Sequence, residues 1–236
     1  MRAVGFLSLL LFACPGPGPT PPDAGSHASA ALKACAAVQV PAQVDTIASA
    51  VARLNALPAP VTPACFVAGL PRPLELVAST SVLSAQPAVG RQSPRIFLLL
   101  PGLVLSVVPA GDGAVLVEFA EWMTPTRTLK GEVQLPLSGP LADDAPFTRV
   151  HSNLGVTSCG LCHRNEVPHP TLDAGFVSDA FRPEPNTLVP VTELATLHAA
   201  CGAEDVSERC TLIHALFDFG AVRQGAFSSA LDLFVQ

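Results

Sequence analysis

Arg95-Ile96-Phe97-Leu98-Leu99-Leu100-Pro101-Gly102-Leu103-Val104-Leu105-Ser106-Val107-Val108 is the stretch that decides the fold. It holds two apolar runs, each about as long as a typical strand, and they meet at Pro101-Gly102, a pair that breaks regular structure. Working outward, Ala114 to Phe119 repeats the strand-like composition, and Asp112-Gly113 before it is a hairpin signal. Further on, Leu129, Gly131, Val133 and Leu135 alternate with Lys130, Glu132 and Gln134. That period of two marks a strand with one face in water. Upstream, Leu74 to Ala78 is another strand. Trp122 and Met123 fall in the connection before the last strand, and Glu118, Glu121 and Glu132 read as a solvated face. The pattern predicts an α+β chain whose N-terminal part is an antiparallel β-sandwich or open barrel.

One helix flanks these strands. Over residues 43–57, Val44, Ile47, Ala48, Val51 and Leu54 recur at three- and four-residue steps, with Asp45, Arg53 and Asn55 off that face. Pro58 and Pro60 end it. Pro136 to Pro146 has the composition of a linker, which places a domain boundary near 145. Prolines 168, 170, 183, 185 and 190 make residues 164–190 irregular. Two helices follow, Val191 to Ala200 with Thr192 as a candidate N-cap, and Val206 to Phe219 ended by Gly220. The expected organisation is a helix plus β-domain over 33–145, then a small, mainly α domain with irregular loops over 146–236.

Composition narrows the function. Of 236 residues only 14% are charged, the net charge is −6, and Lys33 and Lys130 are the only lysines, which argues against nucleic acid as a partner. No window reaches the ~18–20 unbroken apolar residues of a spanning helix. The first residues read as a targeting segment: Arg2, an apolar run from Val4 to Phe12, then Leu11-Phe12-Ala13-Cys14. That last quartet resembles a bacterial lipobox. The resemblance implies a signal peptide over 1–13, lipidation of Cys14, a Pro/Gly-rich tether over 14–32 and anchorage to a membrane of the cell envelope. An ordinary secretory signal cleaved after Ala24 or Ala28 is the other reading. Both put the mature chain outside the cytoplasm, where cysteines oxidise. With Cys14 set aside, six cysteines fall by spacing into Cys35 with Cys65, Cys159 with Cys162, and Cys201 with Cys210. The first and third pairs are expected disulfides. The Cys35–Cys65 bridge is expected to clamp the 43–57 helix to the sheet.

Cys159-Gly160-Leu161-Cys162-His163 carries the chemistry. Two cysteines three apart, with a histidine directly after, form the attachment pattern of c-type haem. Over these five residues the chain resembles a c-type cytochrome. The resemblance implies haem c bound covalently through Cys159 and Cys162, with His163 as the proximal iron ligand. Phe176, Phe181, Leu188, Leu194, Leu197, Leu212, Ile213, Leu216 and Phe217 are apolar residues that could wrap it. There is no methionine after Met123, so a downstream methionine cannot be the second axial ligand. His214 or His198 is the candidate distal ligand, since both lie one helical turn from the Cys201–Cys210 staple. His151, Met123, His169 and a five-coordinate iron remain open. Two other readings compete. One is zinc held by Cys159, Cys162 and two of His151, His163 and His169. The other is a disulfide between Cys159 and Cys162 in a binding or structural lipoprotein without haem. The expected function is one-electron transfer or haem-based sensing, with a redox protein as partner. That role fits a carrier or binding protein better than a catalyst.

Overall fold

The fold is described from a computed structural model, which covers residues 24–152, 155–202 and 204–234. The expected signal peptide, Cys14 and most of the tether lie outside the described residues. From residue 24 the tether gives way to a helix, α1 (Ala24–Ala36). The prolines stop at Pro22 and the chain turns alanine-rich, which favours helix. Helices α2 (Ile47–Ala56) and α3 (Pro63–Ala68) follow. Strands β1 (Leu74–Ser79), β2 (Arg95–Leu100), β3 (Leu103–Val107), β4 (Leu116–Thr124) and β5 (Arg127–Gln134) come next. After α4 (Ala145–Val150) come four short strands, β6 (Val167–Pro168), β7 (Phe176–Asp179), β8 (Phe181–Arg182) and β9 (Leu188–Val189). Helices α5 (Val191–Ala200) and α6 (Glu208–Phe217) precede β10 (Val222–Gln224) and β11 (Asp232–Leu233). Among the described residues no helix is long and apolar enough to cross a membrane.

The α+β class holds, and the sheet is open. Its order is β10-β1-β2-β3-β4-β5-β7-β6, with β9 also on β1, and only the β1–β10 pairing is parallel. Gly102 makes the β2–β3 turn at φ +79°, where a Cβ would come within 2.6 Å of the Asp45 carbonyl oxygen. Asp112-Gly113 does not close a two-residue hairpin. It opens a 3-10 turn over Asp112–Val115, and the left-handed residue is Gly111. Pro109 lacks the N–H needed to carry the β3 ladder further. Trp122 and Met123 belong to β4, not to a connection.

Sheet and core both cross the boundary expected near 145. β7 pairs with β5 and β10 with β1, and one apolar cluster holds Ile47, Phe66, Leu98, Leu105 and Phe119 together with Leu194, Ile213 and Leu216. One face of the sheet meets the helices. Phe119 pairs with Gly131, so the two share a face. On that face Phe66 of α3 packs edge-on against Phe119 at 6.4 Å, and Gly131 lies close under Ile47 and Pro146. Burying these apolar side chains supplies the main drive for folding.

Polar groups fix the helices in place. Thr46 and Ser49 form a capping box at α2, and Glu121 accepts the Ile47 N–H at 2.7 Å. A carboxylate there also meets the positive end of the helix dipole. Glu121 is thus a helix cap, not part of a solvated face. Arg53, expected off the apolar face, is buried. Its guanidinium donates to the carbonyls of Val38, Gly69 and Pro41. Arginine suits this place because its fork of donors can satisfy several carbonyls at once. Cys35 and Cys65 are bridged, as are Cys201 and Cys210. The first bridge ties α1 to α3, rather than clamping α2 to the sheet as expected. The second staples the α5–α6 hairpin.

Candidate functional site

Strand pairing builds the floor of the site. Phe97 stands opposite Ser106, Ser106 opposite Glu118, and Glu118 opposite Glu132. In the next row Val104 faces Ala120 and Ala120 faces Lys130. Paired residues share a face, so both rows point away from the helices. This is the face that the alternation in β5 placed in water. It is covered instead. Leu83 to Ala85, the Cys159–His163 turn, Phe181 and Phe227 stand over it and enclose a cleft of about 910 Å³, counting the part open to solvent.

The Cys-Gly-Leu-Cys-His stretch forms a compact turn at the wall of this cleft. The Thr157 hydroxyl accepts the Cys159 N–H at 3.1 Å and starts a 3-10 turn over Ser158–Leu161. The Cys162 and His163 N–H groups both donate to the Cys159 carbonyl, at 3.0 and 2.8 Å. Glu166 holds the turn from outside: its carboxylate accepts the Thr157 N–H at 2.7 Å and the Thr157 hydroxyl. Gly160 lets the turn pack close to Glu166: a Cβ there would sit 3.0 Å from the carboxylate and push it aside by a few tenths of an ångström. Cys159 is half-buried and Cys162 exposed, and both are free thiols. The disulfide reading of this pair is therefore not what the chain adopts.

His163 is fixed by two contacts. Its Nδ1–H donates to the Asp179 carbonyl at 2.8 Å, and its ring stacks on Phe181 with centroids 5.5 Å apart. Burial lowers its pKa to about 3, helped by the positive charge of Lys130 and opposed by the carbonyl bond. The imidazole is neutral at neutral pH, with Nε2 as the nitrogen left to bind a ligand.

Two more groups in the cleft are shifted by burial. Lys130 is almost fully buried and falls to about 8. Cys159 rises to about 11, through burial and then the charge of Glu118. Arg95 pairs with Glu118, donates to Ser106 at 2.7 Å, and lies 4.8 Å over the Phe97 ring. Thr128, also on the floor, has a buried hydroxyl with no hydrogen-bond partner. The cleft is thus an apolar slot with two cations at its base and two thiols and an imidazole on its wall.

Of the other expected site residues, few come here. His198 and His214 do not line the cleft. They sit on α5 and α6, within the helical layer, where α6 packs on α3. The hairpin staple brings them to each other, with rings 5.1 Å apart, and not to His163. Met123 is exposed at the end of β4. His151 is exposed beside Phe176, and His169 accepts the Thr171 N–H at 3.3 Å. Neither assembles a Cys2His2 zinc site with Cys159 and Cys162. Among the described residues, the His/Cys/Asp/Glu group close enough to share a metal ion is His198, His214 and Asp218. Of the residues expected to wrap a porphyrin only Phe181 lines the cleft, while Leu194, Leu212, Ile213 and Leu216 are in the core. Sequence reasoning missed Phe97, Trp122, Lys130 and Phe227. The alternation in β5 marked Lys130 and Glu132 as one face, but nothing local told that a later segment covers it.

No protein-family model, no curated protein and no solved structure matches this chain.

Proposed function

We propose that this chain is a c-type haem protein of the bacterial cell envelope, holding one haem through Cys159 and Cys162 with His163 as the iron ligand. The observation that carries this reading is the Nδ1 bond of His163 to the Asp179 carbonyl, directly behind two free thiols on a cleft wall. Histidines that bind metal through one ring nitrogen regularly donate the other to a carbonyl or carboxylate, which fixes tautomer and orientation. Attachment needs reduced thiols. Each S–H would add across a vinyl double bond, forming a C–S bond while its proton passes to the neighbouring carbon. The proximity of both thiols to His163 follows from the turn that Glu166 and Gly160 hold.

The lining suits the group. Phe97, Trp122, Phe181 and Phe227 offer ring faces and edges to a macrocycle, while Arg95 and Lys130 offer positive charge to its carboxylates. The segments bearing Ala85 and Phe227 partly cover the cleft, and the reading requires them to move outward to seat a porphyrin. When bound, the haem would supply one-electron chemistry or ligand sensing, and the chain would set its burial and axial ligation. A lipid anchor at Cys14 would hold the protein at a membrane, where a redox protein is the natural partner.

The test is direct. The full chain, made together with the cytochrome c maturation machinery, is expected to carry one haem that survives denaturing electrophoresis and to show a Soret band. Replacing both Cys159 and Cys162 with serine is expected to abolish covalent attachment. Folded protein without covalent haem under those conditions would overturn the proposal.

A further inference from the structure

The α5–α6 hairpin gathers a second group of ligand atoms, independent of the haem reading. His198 Nε2 lies 2.6 Å from Asp218 Oδ1, and His214 Nδ1 lies 3.0 Å from Asp218 Oδ2. The ligand atoms of all three residues fall within 4.8 Å of one another. We infer that His198, His214 and Asp218 form a site for a divalent transition-metal ion such as Zn²⁺.

Each residue is brought there for a local reason. His214 and Asp218 are four apart, at the end of α6, so they share a helix face. His198 sits in the last turn of α5. The Cys201–Cys210 bridge joins the end of α5 to the first turn of α6, which fixes how far the two helices can slide. The His198 ring also stacks on Phe217, 5.3 Å away, which limits its rotation. His214 Nε2 is buried without a hydrogen-bond partner, so the ring's satisfied nitrogen is the one aimed at Asp218.

The donor set selects the ion. Two imidazole nitrogens and one carboxylate oxygen suit first-row transition metals better than calcium or magnesium, which prefer all-oxygen shells. Three protein ligands leave a position for water or an outside ligand, as in open zinc sites. The three side chains are 31%, 20% and 41% exposed, so an ion has a way in. On binding, each neutral imidazole would present a lone pair to the metal and keep its proton on the other ring nitrogen.

The experiment uses the full chain with Cys159 and Cys162 both replaced by serine, so that the thiols cannot bind zinc. Equilibrium dialysis against Zn²⁺ at neutral pH is expected to give one ion per chain, and Co²⁺ is expected to produce the absorption bands of a nitrogen–oxygen site. His198→Ala and Asp218→Asn are each expected to weaken zinc binding by more than ~10-fold. Asp218→Asn keeps the side-chain shape, and its far-ultraviolet spectrum guards against a trivial loss of fold. No saturable zinc binding, or binding that both variants leave unchanged, would overturn the inference.

Discussion

Phe119 and Gly131 point into the helices, while their strand neighbours Glu118, Lys130 and Glu132 point into the cleft. Both faces of the large sheet are covered, but by different kinds of chain. The helix face is sealed by regular elements with apolar stripes and holds aliphatic side chains with Phe66 at their centre. The cleft face is covered by turns and short strands, and keeps two cations, two carboxylates and an orphaned hydroxyl beneath them. On the helix side the buried Arg53 guanidinium is received by three backbone carbonyls. A face that buries a lysine is held for something else, since desolvating an ammonium costs stability in every folded molecule.

The largest expected effect lies on the helix face. Phe66 is fully buried against Phe119. Phe66→Ala is expected to cost about 3–5 kcal/mol in urea unfolding, the usual range for a large aromatic removed from a packed core. The alkylation pattern of Cys159 and Cys162 in the still-folded protein should not change. If Cys159 became as reactive as Cys162, the two faces would be mechanically coupled and the contrast between them would fail.

The next effect has the opposite sign. Lys130 has a folded pKa of about 8 against an ordinary value of 10.5. Between those values the unfolded chain binds more protons than the folded one, so this group makes stability rise as pH rises from about 8 towards 10.5. Below that window the buried charge costs the fold about 3 kcal/mol by the shift alone. Lys130→Met is therefore expected to stabilise the protein by about 2–3 kcal/mol at pH 7, with the gain fading between about pH 8 and 10.5. Cys159 acts in reverse. Its pKa is raised to about 11, so the folded state keeps a proton that the unfolded chain loses, and stability falls between about pH 9 and 11. The measurement therefore belongs in a Cys159→Ser background, by thermal or urea unfolding at a series of pH values. A Lys130→Met variant less stable than its parent at pH 7 would mean that Lys130 holds the cleft together rather than straining it.

This difference between faces also governs what the sequence could reveal. β1, β2 and β3 are written in local apolar runs, and α5 falls at Val191–Ala200 as its pattern predicts. Both disulfides join the pairs expected from their spacing. Arg53 was misplaced because a periodicity argument counts charge as solvent-facing, whereas three backbone carbonyls receive it inside. The cleft was half legible. Cys159, Cys162 and His163 announce themselves, but their floor comes from residues 95–132, far upstream. Only the pairing of β7 with β5, a contact between distant segments, brings the turn over that floor. His198 and His214 were legible as a pair, because helix spacing and a disulfide put them together. Asp218, which completes the cluster, was one more helical turn along and went unread.

The smallest effect sharpens the contrast most locally. Glu166 lies outside the cleft, yet it accepts two hydrogen bonds from Thr157 and packs under Gly160, so it holds the turn that presents Cys159. Glu166→Gln retains one carbonyl acceptor, and the global cost is expected to be only about 1 kcal/mol. The local consequence should be larger than the global one, because turns with few apolar contacts open independently of the core. Alkylation of Cys159 is expected to speed up severalfold in the variant, while Cys162, already exposed, keeps its rate. The ratio of the two rates within one molecule cancels any change in overall stability. An unchanged ratio would mean that His163, through Asp179 and Phe181, fixes the turn by itself, and that the cleft wall is anchored from within the sheet rather than from the solvent side.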